Sequence, residues 1–85
     1  MPQFITAAGN TLVPMVLALR DLQFRVARTA TPGGDEWTAE SEHLRLSAPD
    51  LPALLALALM RQVRGANWKA SDAEIDAVLS EFGGI

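Results

Sequence analysis

D35-E36-W37-T38-A39-E40-S41-E42-H43-L44-R45 crowds four carboxylates, the only histidine and one of the two tryptophans into eleven residues. His43 beside Glu40 and Glu42 has the makings of a general base with an orienting carboxylate, and Ser41 beside His43 those of a nucleophile with its base. Each needs more than the stretch supplies. A zinc site takes three or four ligands, and one histidine with carboxylates on flexible stems is a poor set. Ser41 lacks a G-x-S-x-G elbow, evident oxyanion donors and a placed third member. The nearby G33-G34 lacks the spaced glycines leading into a helix that a phosphate loop requires. Neither a metal nor a cofactor is expected.

What these residues do depends on the elements that carry them. Trp37, Ala39 and Ser41 share one side of an alternating run, with Glu36, Thr38 and Glu40 on the other. Leu44 and Leu46 follow out of phase with Trp37. A single strand over 36–47 would send Trp37 and Leu44 to opposite sides, so a bulge or, better, a tight turn at Glu42 and His43 divides two strands. His43 is then a solvent-facing hairpin tip. Upstream, Leu22, Phe24 and Val26 alternate with Gln23, Arg25 and Ala27, which predicts a strand over 22–29, and T31-P32-G33-G34-D35 predicts the turn after it.

Helices flank the three strands. The spacing predicts a first helix over 11–21, capped by Asn10 or Thr11, with Leu12, Met15, Val16 and Leu19 inward. A second, over 50–64, is capped by Ser47 or Asp50, with Pro49 and Pro52 where a helix start tolerates them. Leu51, Leu54, Leu55, Ala58 and Leu59 form its inner stripe, while Leu57 and Met60 widen the apolar surface onto a second side. The third, over 72–82, opens on the capping box S71-D72-A73-E74, carries Ile75, Val78, Leu79 and Phe82 as one stripe and stops at G83-G84. Residues 4–8 read as either a short strand or a loose arm. Trp68 is expected to tuck over the last helix or against the second. The fold class is thus α+β in the order α-β-β-β-α-α, a three-stranded antiparallel meander packed on one face by helices.

At 85 residues the chain is expected to be one domain, 1–85, since so short a chain buries too little surface for two cores. Without cysteine, disulfides, thiolate ligands and a cysteine nucleophile are excluded. The first residues carry no basic segment followed by a long apolar run, which points to the cytoplasm. The apolar run 51–60 is about half of the ~20 residues that a membrane span needs. Residues 1–64 carry six arginines and six acids, so the whole net charge of −3 comes from the last 21, where Lys69 faces Asp72, Glu74, Asp76 and Glu81. No basic field for phosphate binding exists.

Two candidate surfaces remain. One is the open side of the sheet, where Arg25, Thr38, Glu40 and Arg45 project with His43 at the rim. This surface is either a set of cross-strand ion pairs or a recognition face. The other is the second side of the middle helix, with Leu57, Met60 and Trp68, covered either by the third helix or by a partner.

The order helix, strand, strand, strand, helix over about residues 11–64 resembles the double-stranded-RNA-binding domain in topology. That family carries a basic cluster at the start of the helix after its third strand, to meet phosphates. Here the position reads S47-A48-P49-D50-L51-P52-A53, and the turn T31-P32-G33-G34-D35 has no basic residue either. The family's binding residues have no counterparts. The expectation is a small non-enzymatic interaction protein that docks to a protein partner or to itself, in an inhibitor, immunity, adaptor or assembly role. The alternatives are a nucleic-acid-binding domain using the sheet arginines and a small hydrolase using Ser41 and His43.

Overall fold

The computed structural model describes residues 2–6 and 9–84. Its elements are α1 (Leu12–Asp21), β1 (Arg25–Thr31), β2 (Gly34–Glu40), β3 (Arg45–Ala48), α2 (Leu51–Arg64) and α3 (Asp72–Phe82). The strands form one antiparallel sheet in the order β1-β2-β3. The α+β class and the order α-β-β-β-α-α are those that the sequence pattern predicts.

Register sorts the side chains. Val26 stands opposite Ala39, which stands opposite Leu46, and Trp37 stands opposite Ala48, so these five share the face that takes α1 and α2. Arg25, Glu40 and Arg45 fill the next row on the other face. The phase slip after Trp37 is resolved by bends at Glu42 and His43, where the Ser41 amide donates to the Leu44 carbonyl at 2.8 Å. Phe24 and Leu44, just outside the strands, pack partly buried against the same core.

The first strand starts and ends later than its alternation predicts. Leu22 and Gln23 wrap the end of α1, their amides donating to Ala18 and Arg20, and Gln23 takes a left-handed φ of 73° that no strand residue adopts. At the other end, pairing continues to Thr31 opposite Gly34 around a two-residue turn, Pro32-Gly33. Proline fixes the first turn dihedral, and Gly34 holds the φ of 123° that a side chain would strain.

The core is Leu19 of α1, Ala39, Leu46 and Ala48 of the sheet, and Leu51, Leu54 and Ala58 of α2. Asp50 rather than Ser47 caps α2, its carboxylate accepting from the Ala53 amide at 2.8 Å. Ser47 instead donates to Glu36 across the open side of the sheet. Thr11 sits at the N-cap of α1 without a side-chain capping bond. Two residues assigned to the core by spacing lie outside it. Leu12 is exposed because, among the described residues, no element covers the start of α1, and Leu59 is exposed because it sits one step round α2 from the Leu51-Leu54-Ala58 line.

The helix α3 forms as its local signals dictate. Ser71 accepts from the Glu74 amide at 3.2 Å while Glu74 accepts from the Ser71 amide at 2.9 Å, and Gly83 closes the helix in the left-handed conformation. Yet none of its residues is buried. Residues 2–6 have no regular structure, with Phe4 and Ile5 exposed, and the rest of the undecided 4–8 segment lies outside the described residues.

Candidate interaction surfaces

The open side of the sheet assembles four of the expected contact residues. Arg25 donates to Glu40 at 2.8 Å, and Arg45 approaches the other oxygen of the same carboxylate at 3.9 Å. Thr38 lies beside them in the same shallow depression of about 260 Å³. A second depression of about 400 Å³ continues along Ser41 to Leu44 and brings in His43. Glu40 is therefore shared by both arginines, bonded to Arg25 and only loosely approached by Arg45, so the trio keeps a net charge of about +1. Such pairs, exposed as these are, contribute roughly 0–1 kcal/mol each.

His43 stands on the turn, its imidazole 3.9 Å from Glu42 with both side chains almost fully exposed. The Ser41 hydroxyl donates to the Leu44 carbonyl at 3.4 Å, a bond internal to the turn. Arg28, by contrast, lies on the helix-covered side, its guanidinium 5.5 Å above the Trp37 ring. Among the described residues, no group of three or more His, Asp or Glu side chains is arranged to hold a metal ion.

The helical side behaves differently. Leu57 is half-buried against the core, whereas Met60 is exposed. The exposed outer facet of α2 is Leu59, Met60 and Val63, at i, i+1 and i+4, with Val63 80% exposed. Spacing alone identified only Met60 of these three. Trp68 is half-buried in the connection 65–71, with the Lys69 ammonium 5.8 Å from its ring centre.

Beyond that connection, the stripe of α3 is open. Ile75, Val78 and Leu79 are 40–42% exposed and Phe82 is 66% exposed. An open depression of about 410 Å³ is lined by Ile75, Val78 and Leu79 of the stripe together with Arg64, Ala70, Glu74 and Ala77. The Arg64 guanidinium donates to both oxygens of Glu74, at 3.2 and 3.3 Å, and tethers α3 to the end of α2. The Ser71 amide, followed by the Arg64 side chain, holds the Glu74 carboxyl below the usual carboxylate range. The capping box and the tether thus converge on one side chain.

Comparison with protein-family models, curated proteins and solved structures finds no match to this chain. Among the described residues, no helix is long and apolar enough to cross a membrane.

Proposed function

We propose that this chain is a non-enzymatic interaction protein, docking to a protein partner or to itself through the apolar facets of α2 and α3. The observation that carries the reading is the open stripe on α3. Four large apolar side chains at i, i+3, i+4 and i+7 define a helix face built for burial, and each is at least 40% exposed. Monomers seldom leave contiguous apolar surface of this kind uncovered, and apolar patches rimmed by polar groups mark interaction sites. Here the rim is acidic, since Asp72, Glu74, Asp76 and Glu81 are the charged residues of the helix.

A nucleic-acid-binding role is less well supported, because Arg25 and Arg45 share Glu40 and the C-terminal segment carries the surplus negative charge. A hydrolase role is less well supported, because the Ser41 hydroxyl is directed at a carbonyl of its own turn.

The test is affinity capture from the native cell with three baits: the wild-type chain, the double variant Val63→Asp with Val78→Asp, and the double variant Arg25→Ala with Arg45→Ala. The expected result is a stoichiometric polypeptide, foreign or a second copy of the chain, that the first and third baits retain and the second loses. Retention by the aspartate bait with loss by the alanine bait would move the site to the sheet. Tight, salt-sensitive binding of nucleic acid in a mobility-shift assay would replace the reading altogether.

A further inference from the structure

We infer that the partner of these facets is a second copy of the chain, with α3 of each copy seated on the outer facet of α2 of the other. The inference deepens the interaction reading and rests on it.

The surface area comes first. The chain exposes 6839 Å². A compact monomer of 9.1 kDa is expected to expose about 4,900 Å². Its radius of gyration is 15.4 Å, where about 12 Å is expected for 85 residues. Part of this excess of roughly 1,900 Å² lies on residues 2–6, where Phe4 and Ile5 are exposed, and part on the uncovered facets of α2 and α3. Leu59, Met60 and Val63 of α2 together with the α3 stripe expose on the order of 700 Å², close to the ~800 Å² that each partner contributes to a standard interface.

Charge then chooses the arrangement. Apart from the Arg64–Glu74 pair within each copy, residues 51–64 include Arg61 and no acid, whereas 72–82 include Asp72, Asp76 and Glu81 and no base. Stripe-to-stripe pairing of two α3 helices would bring two sets of four carboxylates along one seam, which like-charge repulsion opposes. Seating α3 on the partner's α2 instead lays an acid-rimmed stripe beside a helix whose remaining charge, Arg61, is positive. Exchanging the contact in both directions makes the interface isologous, so that it closes at two copies.

The connection 65–71 suits such an exchange. Gly65 takes a φ of 82°, and the seven residues contain no helix or strand. The Arg64–Glu74 tether fixes the start of α3 at the end of its own α2 and leaves the stripe itself free.

The experiment is gel filtration with light scattering over a concentration series reaching the order of 100 µM. The expected mass is twice 9.1 kDa at the upper end. Val63→Asp and Val78→Asp should each weaken pairing at least tenfold without shifting the thermal unfolding of the chain at low concentration, since both side chains are exposed in the single copy. Because the chain has no cysteine, Val63→Cys and Val78→Cys supply the only thiols. Mixing the two variants should give disulfide-linked pairs several-fold faster than either alone.

A mass of 9.1 kDa at every concentration, or equal cross-linking in mixed and unmixed samples, would overturn the pairing. If the single copy still retained a foreign polypeptide that Val78→Asp loses, the interaction reading would stand without the pairing. If it retained nothing, both would fall.

Discussion

The helices α2 and α3 are specified by the same kinds of local signal, and only one of them is buried. Each has an N-cap side chain that accepts from the amide three residues on, and each has an apolar stripe at helical spacing. The stripe of α2 meets the sheet through Leu51, Leu54 and Ala58, all at most 2% exposed. That of α3 meets nothing comparable among the described residues. Capping and periodicity decide that a helix forms and which face it offers, but whether that face is covered depends on surface elsewhere. In α3 the local order is complete and the tertiary half is missing.

This contrast can be broken most forcefully at Leu54. Leu54→Ala removes a fully buried side chain between α2 and the sheet and should destabilise the fold by about 3 kcal/mol in urea unfolding. Phe82→Ala on α3 should change the unfolding free energy by no more than about 0.5 kcal/mol at low protein concentration. Equal losses at the two sites would mean that α3 belongs to the same core.

The caps sharpen the comparison at a smaller scale. Asp50→Ala and Ser71→Ala should each cost about 1 kcal/mol of helix stability. The first should lower the global unfolding midpoint, while the second should reduce helical circular dichroism and α3 amide protection with the midpoint unchanged.

Acid acts on the tether. The folded carboxyl of Glu74 titrates below its unfolded value, so its stabilising contribution is complete above the unfolded value of about 4.5 and is lost as the pH falls through the folded one. The amide protection of α3 should therefore fall on acidification through and below that range. In Arg64→Gln it should already be reduced at neutral pH and change less on acidification.

The smallest effect belongs to the sheet face. Arg25→Ala removes an exposed ion pair and should change stability by about 0.5 kcal/mol or less in the same urea assay. A loss above about 2 kcal/mol would show Glu40 to depend on Arg25 far more than its exposure implies.

The class, the element order, the hairpin turn at Glu42 and His43 and the bounds of α3 were legible in the sequence because each rests on local chemistry: alternation, phase, capping and glycine stops. The extent of β1 was not. Its expected span of 22–29 counted Leu22, Gln23 and Phe24, which precede the strand, and left out Ala30 and Thr31, which lie beyond the apolar alternation and join it by pairing with β2. Leu12 and Leu59 were misplaced for a related reason, since a stripe wider than the surface it meets leaves its margin exposed. Of the expected contact residues, Arg25, Thr38, Glu40, His43 and Arg45 do gather, around a carboxylate that the two arginines share. Leu57 and Trp68 lie half-buried and Met60 exposed. Val63 and the open stripe of α3 went unmarked because exposure is a tertiary fact that spacing does not encode.

Amide hydrogen exchange, followed as a function of protein concentration, tests most directly whether α3 is held from outside its own chain. The amides of Val78 and Leu79 should exchange with little protection in dilute solution and gain protection steeply as copies pair, while Leu54 remains at the global limit throughout. Protection of Val78 and Leu79 equal to that of Leu54 at every concentration would mean that the chain covers α3 by itself.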